Sequence, residues 1–196
     1  MEKRNLTLLT DLYELTMMNG YYLKGKTDEI AVFDVFFRRK ELITYSLAAG
    51  LEQVVDYVLG LNFGEEEIAY LKGLNIFDEG VLNYLKDLKF SGDIYSVPEG
   101  TMVFPGEPIL TVKAPVIEAQ LIETAILNII NHQTLIATKS AKVCRSAQGD
   151  NVMEFGLRRA QGPDAGIYGA RAAIIGGCNS TSNVLAGKMF DVPVSG

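Results

Sequence analysis

The alternation of short strands and helices after Gly149 constrains the fold more than any other feature of this sequence. Apolar runs predict strands at residues 152–155, 179–182 and 192–194, and helical spacing predicts helices at 164–175 and 184–190. Repeated strand–helix units of this kind build a parallel sheet or barrel. A closed barrel needs about eight strands, so we expect only the first strands of an irregular, incomplete barrel. We also expect the chain to be an amino-terminal fragment, because Gly196 ends it in the middle of a unit.

The residues before Gly149 do not show this regular alternation of strands and helices. Leucines at helical spacing predict a first helix that ends near Gly20, and the apolar run at residues 30–37 predicts a buried strand. Two further helices are predicted, one ending near Gly60 and one with Asp78 as its N-cap.

Proline and glycine then concentrate between residues 90 and 115, which predicts turn-rich β structure. A long apolar helix from 116 to about 137 follows it. We therefore assign residues 1–115 to an amino-terminal α/β domain. Residues 116–196 would hold a connecting helix and the first strand–helix units of the barrel, so the predicted fold class is α/β.

Composition and charge exclude several classes of protein. A hydrophobic fraction of 48% and a charged fraction of 21% are typical of a folded chain. No apolar run is long enough to span a bilayer and no secretory leader is visible, so we predict a cytoplasmic protein with no membrane partner. The net charge of −6 argues against nucleic-acid binding. Cys144 and Cys178 have neither a C-x-x-C nor a zinc spacing, so we interpret them as reduced, mostly buried thiols.

Polar and aromatic side chains follow the predicted strands of the barrel. Residues 155–159, 180–183 and 195–196 stand at the carboxyl ends of those strands, where parallel barrels bind ligands. Phe155 could stack on a ring, and the guanidinium of Arg158 or Arg159 could bind a carboxylate or phosphate. Residues 155–196 also carry a net charge of +2 within an acidic chain, which suits a local anion site. The aromatic ring, the guanidinium groups and the hydroxyls together suit a flat, anionic ligand. The alternative is that Phe155 belongs to the core and that both arginines pair with nearby acids.

Weaker signals lie elsewhere in the chain. Residues 37–40 end a strand with three positive charges, which suits either a phosphate site or a charged turn. His132, the only histidine, sits in an apolar helix and is interpreted as a packing residue rather than a base. The glutamates at 65–67 are interpreted as a solvated first helical turn. Neither a Walker sequence nor a GxGxxG motif is present.

Four motifs, in order along the chain, resemble those of nicotinate phosphoribosyltransferases. They are LTDLYELT at residues 9–16, FFR at 36–38, EFGLRRAQG at 154–162 and TSNVLAG at 181–187. The resemblance runs along all 196 residues and implies the type II phosphoribosyltransferase fold. It also implies transfer of a phosphoribosyl group from phosphoribosyl pyrophosphate to nicotinate in NAD salvage, coupled to ATP hydrolysis, with Mg²⁺ accompanying the pyrophosphate.

The same resemblance implies roles for individual residues. Tyr13 would reach the active site of a neighbouring subunit and stack on the pyridine ring, which implies a homodimer or a larger oligomer. Phe155 would take the opposite face of the ring. Arg158 would lie by the nicotinate and the phosphoribosyl group, and Arg38 would belong to the phosphate and pyrophosphate site. Thr181 and Ser182 would lie by the carboxylate end of the ring.

One departure from the family pattern leaves alternatives open. The family carries a histidine, phosphorylated by ATP, just beyond a Ser-Gly pair that corresponds to Ser195-Gly196, so we expect residues 1–196 alone to be inactive. A non-catalytic paralogue that only binds the pyridine ring is therefore one alternative. A nicotinamide phosphoribosyltransferase is the other, although amide-specific relatives place an aspartate where this chain has Ser182.

Overall fold

The computed structural model describes residues 4–39 and 44–196. These residues form two compact units, each assembled from three separate spans of the chain. Among the described residues, the first unit draws on 4–35, 52–95 and 110–127, and the second on 36–51 (without 40–43), 96–109 and 128–196. Because these units are defined by contacts in space, the division of the sequence into domains at residue 115 stays a prediction.

Helices and short strands alternate along the chain, and the expected α/β class is confirmed. In chain order the elements are α1 (Leu12–Leu23), β1 (Ile30–Val35), β2 (Ser46–Leu47), α2 (Leu51–Leu59), α3 (Glu65–Gly73), α4 (Glu79–Asp87), β3 (Asp93–Ser96), β4 (Met102–Val103), β5 (Leu110–Pro115), α5 (Val116–Leu121), α6 (Glu123–Ser146), β6 (Met153–Glu154), a 3₁₀ turn (Leu157–Arg159), α7 (Pro163–Ile175), β7 (Ser180–Thr181) and α8 (Val184–Phe190).

Several helix boundaries agree with the sequence because capping residues mark them. Asp78 is the N-cap of α4, and its side chain accepts a hydrogen bond from Gly80 N at 2.7 Å. Helix α2 ends at Leu59, next to the expected stop at Gly60, and the glutamates at 65–67 form the first turn of α3. Helix α8 spans the predicted residues 184–190.

The start of α1 is fixed by a buried carboxylate. Asp11 N donates to Oε2 of Glu14 at 3.2 Å, and Glu14 is fully buried. Its Oε1 accepts hydrogen bonds from the backbone N and the Oγ1 of Thr124 at 3.1 and 2.9 Å. Burial raises the pKa of Glu14, although these hydrogen bonds oppose that rise. Glu14 therefore ties the first turn of α1 to the start of α6 within the first unit.

Strand β1 differs from its prediction. Strands β1, β5 and β3 form a sheet in that order, with β1 antiparallel to β5. The prediction of a buried strand at residues 30–37 is wrong in two respects, because β1 ends at Val35 and because Val32 and Phe33 are exposed. Since β1 is an edge strand, it has a neighbouring strand on one side only. Its apolar run therefore reflects β propensity rather than full burial.

The long apolar helix predicted from 116 to about 137 is two helices. Helix α5 ends at Leu121, and α6 begins at Glu123 and continues to Ser146. The break falls at Ile122, whose side chain is fully buried. Apolar residues continue through the break because both helices are packed there, so hydrophobic spacing gives no sign of it.

The expected parallel strands are present in the second unit. Strand β6 pairs in parallel with β7, with Met153 opposite Ser180 and Glu154 opposite Thr181. The third predicted strand contributes one parallel bridge, between Thr181 and Val194. This arrangement confirms the first strands of an incomplete barrel and places their carboxyl ends side by side.

The helices of this unit pack closely through small side chains. Ala49, Ala137 and Ala172 form a buried cluster. Helix α7 stops at Gly176-Gly177, as predicted. A β-carbon at position 176 would lie 2.4 Å from the backbone oxygen of Ala137, so the end of α7 can approach α6 only with glycine at this position.

A partly buried ion pair also stabilises the second unit. Glu99 Oε1 accepts hydrogen bonds from Gly50 N and Leu51 N at 2.6 and 3.0 Å, at the start of α2. Both oxygens of the same carboxylate accept from Arg171, at 2.9 and 2.6 Å. Burial opposes ionisation of Glu99, but the hydrogen bonds from Arg171 and the two backbone groups outweigh it and hold its pKa below the usual range.

Candidate functional site

The candidate site is built around the turn that follows β6. Phe155 is the first residue of that turn, and 47% of its surface is exposed. It is therefore not a core residue, and one face or edge of its ring is accessible. Arg158 lies in the 3₁₀ turn and is exposed, with its guanidinium carbon 5.1 Å from the centroid of the Phe155 ring. The two residues thus present an aromatic surface and a planar cation together.

The loop after β7 lies beside the same ring. Ser182 N donates to the backbone oxygen of Glu154 at 3.0 Å, which anchors this loop to the end of β6. A β-carbon at position 196 would lie 3.4 Å from Cε2 of Phe155 and 3.8 Å from Cβ of Ser182. The structure therefore brings Phe155, Arg158, Ser182 and Gly196 together at the carboxyl ends of the three parallel segments, as the sequence pattern suggested.

Thr181 is placed differently from its neighbour. Its side chain is fully buried, and its Oγ1 donates a hydrogen bond to Oε2 of Glu154 at 2.6 Å. The same oxygen accepts a hydrogen bond from Asn183 N at 3.0 Å. The single hydroxyl hydrogen of Thr181 is committed within the protein, whereas Ser182 is only half-buried.

Asn183, rather than Ser182, caps the helix that follows. Its Oδ1 accepts a hydrogen bond from Ala186 N at 3.1 Å, at the first turn of α8. Its amide nitrogen also donates to Gly166 O at 3.1 Å. Ser182 therefore does not cap α8, because Asn183 occupies the N-cap position.

Tyr13 belongs to the first unit. It lies in the first turn of α1, and 48% of its surface is exposed. Partial desolvation and the nearby carboxylates of Glu123, Glu14 and Asp11 raise the pKa of Tyr13 to about 12. The phenol is therefore neutral at physiological pH, and it lies close to three acidic side chains of this unit. The stacking of Tyr13 in a neighbouring subunit stays a prediction.

The remaining sequence candidates are less constrained. Arg38 and Arg39 are exposed in the segment after β1, while Lys40 lies outside the described residues. Nε2 of His132 lies 3.2 Å from the backbone oxygen of Ala165, a contact that agrees with a packing role. Cys144 and Cys178 are free thiols, as predicted, with their sulfur atoms 3.9 Å apart.

Neither a metal-binding cluster nor a membrane-spanning helix is found among the described residues. Within residues 4–39 and 44–196, no three His, Cys, Asp or Glu side chains are grouped so that they could hold a metal ion. In the same part of the chain, none of the helices combines the length and the apolar character that crossing a membrane requires.

Sequence reasoning missed Glu154 as a functional candidate. Its carboxylate accepts hydrogen bonds from Thr181 and from Gly156 N, so it joins the two loops of the site. The available signal was strand alternation, because the residue before Phe155 in an extended segment points to the opposite side. Its partner could not be inferred, since the pairing of β6 with β7 in space sets it.

The fold, with its parallel strands in the second unit, matches the amino-terminal region of type II phosphoribosyltransferases. The profile of the nicotinate phosphoribosyltransferase (NAPRTase) N-terminal domain matches residues 8–131. The chain therefore belongs to the nicotinate phosphoribosyltransferase family.

Individual relatives agree with this assignment. Nicotinate phosphoribosyltransferase of Bacillus subtilis is 48% identical over 194 residues, which are 98% of this chain and 39% of the relative. The Caenorhabditis elegans nicotinate phosphoribosyltransferase is 43% identical over 197 residues, covering 96% of this chain and 34% of the relative. The chain thus spans about two-fifths or less of these two relatives.

Solved structures show the same fold. The crystal structure of human nicotinic acid phosphoribosyltransferase superposes with a TM-score of 0.89 at 36% identity, covering 95% of this chain and 38% of the human chain. The nicotinate-nucleotide pyrophosphorylase from Pyrococcus furiosus superposes with a TM-score of 0.77 at 23% identity, covering 98% of this chain and 42% of that chain. The second likeness supports the fold alone.

Proposed function

We propose that the full-length protein transfers a phosphoribosyl group from phosphoribosyl pyrophosphate to nicotinate. The pyridine nitrogen would form a bond to C1 of the ribose. The bond between C1 and the pyrophosphate oxygen would break, and pyrophosphate would leave with the bonding electrons. The products are nicotinate mononucleotide and pyrophosphate, which places the reaction in NAD salvage. The observation that carries this proposal is the pairing of Phe155 and Arg158 beside Ser182 in a chain of this family.

The chemistry of these three residues suits nicotinate. The pyridine ring can stack on the exposed ring of Phe155, and the guanidinium of Arg158 can form paired hydrogen bonds with a carboxylate or a phosphate. The hydroxyl of Ser182 can donate a hydrogen bond to the nicotinate carboxylate. Each residue would recognise a different property of the ligand: Phe155 its flat ring, Arg158 its negative charge and Ser182 its acceptor oxygens.

The transferred group would be stabilised mainly by charge. Cleavage at C1 develops positive charge on the ribose and concentrates negative charge on the leaving pyrophosphate. Arg158 would lie close to both the nicotinate and the phosphoribosyl group, and Arg38 would serve the phosphate and pyrophosphate. Holding the reactants in line and balancing these charges lowers the barrier without a covalent intermediate on the protein. Tyr13 of a neighbouring subunit would cover the second face of the ring, which requires at least a homodimer.

Mg²⁺ and ATP are part of the proposal. Magnesium would accompany phosphoribosyl pyrophosphate, because Mg²⁺ is usually bound through substrate phosphates and only one or two carboxylates. ATP would be a co-substrate whose hydrolysis is coupled to nucleotide formation. We propose a cytoplasmic location for this reaction, with no nucleic-acid or membrane partner.

The test is a product assay with the full-length protein, nicotinate, phosphoribosyl pyrophosphate, Mg²⁺ and ATP, followed by chromatography. We expect nicotinate mononucleotide and pyrophosphate in equal amounts, and a lower yield when ATP is left out. Parallel reactions with nicotinamide examine the amide-specific alternative. Equal or faster use of nicotinamide would contradict the proposal in favour of that alternative. Binding of nicotinate without any product would favour the non-catalytic one.

A further inference from the structure

Glu154 joins the two loops that form the candidate site. Oε2 of its carboxylate accepts a hydrogen bond from Thr181 Oγ1 at 2.6 Å, and Oε1 accepts one from Gly156 N. Its backbone oxygen accepts a third, from Ser182 N at 3.0 Å. One residue at the end of β6 therefore fixes both the turn that carries the site arginine and the loop that follows β7.

The burial of Thr181 shows that its hydroxyl serves the hydrogen bonds with Glu154 and Asn183 and not a ligand. Its side chain has no exposed surface, and its hydroxyl hydrogen is given to Glu154 while its oxygen accepts from Asn183 N. A hydroxyl has one hydrogen to donate, so this one is not available to a ligand. Thr181 is thus placed to hold the Glu154 carboxylate rather than to contact the pyridine ring.

The local backbone is adapted to this carboxylate. A β-carbon at position 156 would lie 2.9 Å from Oε1 of Glu154, which is closer than such atoms pack. Glycine at this position therefore lets the carboxylate reach the backbone nitrogen. In the turn that this contact fixes, the Phe155 ring is exposed at the surface. The guanidinium carbon of Arg158 lies 5.1 Å from the centroid of that ring.

We propose that Glu154 is a positioning residue for the nicotinate site, because its carboxylate, fixed by Thr181 and Gly156, sets the orientation of Phe155 and Arg158. This inference rests on the proposed function. Preorganised side chains bind a ligand more tightly than mobile ones, since less conformational freedom is lost on binding. The effect of Glu154 should therefore appear in nicotinate binding.

A pair of substitutions at Thr181 separates this role from simple packing. Thr181→Ser keeps the hydroxyl that donates to Glu154, whereas Thr181→Val keeps the shape and removes the hydroxyl. In the full-length protein we expect Thr181→Val to raise the KM for nicotinate about tenfold, the loss expected for a hydrogen bond to a charged group. Thr181→Ser should remain within about twofold of the parent. Glu154→Gln should behave like Thr181→Val, because an amide has only one acceptor oxygen and cannot accept from both Thr181 Oγ1 and Gly156 N.

The first unit offers a matched control. Thr111 Oγ1 donates to Asp34 Oδ1 at 2.6 Å, across two paired strands, so these residues form an exposed hydroxyl–carboxylate contact and belong to no candidate site. Thr111→Val should leave the KM for nicotinate unchanged. The melting temperature of every variant is measured, and the Thr181 variants are compared at matched fractions of folded protein.

Hydrogen–deuterium exchange of residues 155–159 tests the arrangement without any substrate. We expect faster exchange there in Thr181→Val and Glu154→Gln than in Thr181→Ser. Equal exchange and equal KM values in Thr181→Val and Thr181→Ser would overturn the inference. If the parent protein formed no nucleotide, the proposed function would fail, and the exchange comparison would still decide whether Glu154 orders this turn.

Discussion

The guanidinium carbon of Arg158 lies 5.1 Å from the centroid of the Phe155 ring. A guanidinium at this distance is attracted by the electrons of the ring face. A planar ring has two faces, so a guanidinium near one of them leaves room for a second planar group on the other. Phe155 can thus orient the arginine and stack on a pyridine ring at the same time.

Removing either aromatic residue should weaken nicotinate binding. Stacking contributes about 0.5–1.5 kcal/mol beyond burial, which corresponds to roughly 2- to 12-fold in Kd. We expect Phe155→Ala and Tyr13→Ala in the full-length protein each to raise the Kd for nicotinate, measured by calorimetry, by about 2- to 12-fold or more. Tyr70→Ala is the control, since this residue of α3 is 60% exposed and belongs to no candidate site. Unchanged affinity in both site variants, with the fold intact, would refute the stacking assignment.

Arg158 should not be replaceable by lysine. Lysine keeps the positive charge but lacks the planar fork that binds a carboxylate or phosphate with two hydrogen bonds. We expect Arg158→Lys to lower kcat/KM for nicotinate by on the order of tenfold or more, the loss expected for one charged hydrogen bond. Arg145→Lys, at the exposed end of α6, should have the activity of the parent. Parental turnover in Arg158→Lys would rule out a bidentate role.

The features that sequence could predict are those set by local chemistry. Asp78 marks the start of α4 because an aspartate side chain satisfies a free backbone N–H, and Gly176-Gly177 marks the end of α7. The carboxyl ends of the parallel strands were also predictable, because strand–helix repeats place them at one edge of a sheet. This rule locates Phe155, Arg158 and Ser182 at the candidate site without any knowledge of the residues that contact them in space.

The features that sequence could not predict depend on pairing in space. Val32 and Phe33 are exposed because β1 lies at the edge of its sheet, and strand order is not written in the local pattern. The break at Ile122 is hidden because the apolar residues continue across it. Likewise, Glu154 acquires its role only from the register that sets it opposite Thr181.

Cys178 should react at different rates in folded and in unfolded protein. Burial and the neighbouring thiol of Cys144 raise the pKa of Cys178 to about 11. Because the thiolate is the reactive form, only roughly one Cys178 in a thousand is ready to react at pH 8. We expect iodoacetamide to label the peptide containing Cys178 more than tenfold more slowly in native protein than in urea. Equal labelling rates in the two states, followed by mass spectrometry, would contradict a buried, protonated thiol.

The ion pair between Glu99 and Arg171 should make stability depend on pH. The folded pKa of Glu99 is depressed, so its contribution is present above the unfolded pKa of about 4.3 and is lost as pH falls through the lower folded value. Glu99→Gln leaves Arg171 without its partly buried carboxylate and should lower the free energy of unfolding at pH 7 by about 1.5–3 kcal/mol, the loss expected for hydrogen bonds to a charged group.

Denaturant unfolding at several pH values checks this expectation. The difference between the parent and Glu99→Gln should be constant between about pH 6 and 8 and should shrink below about pH 4. Glu79→Gln is the control, because its ion pair with Lys72 is exposed and its loss should change stability little. A difference between the parent and Glu99→Gln that did not vary with pH would mean that the charge of Glu99 does not stabilise the fold.

Ser182 should decide between the acid and the amide as substrate. Nicotinate is negatively charged at neutral pH, whereas nicotinamide is neutral. An aspartate about 4 Å from the nicotinate carboxylate would repel it by roughly 4 kcal/mol at an effective dielectric constant near 20. A serine hydroxyl can instead donate a hydrogen bond to it, worth about 1.5–3 kcal/mol because the acceptor is charged. The absence of a carboxylate at this position would therefore be part of the specificity.

The test is Ser182→Asp in the full-length protein. Because Asn183 already caps α8, the substitution does not remove a helix cap, and its effect can be interpreted through the ligand. We expect kcat/KM for nicotinate to fall by at least about tenfold, and the ratio of nicotinamide to nicotinate use to rise. Ser146→Asp adds the same charge at the exposed end of α6 and should change neither value. An equal loss for both substrates in Ser182→Asp would show that Ser182 supports the loop and does not select the carboxylate.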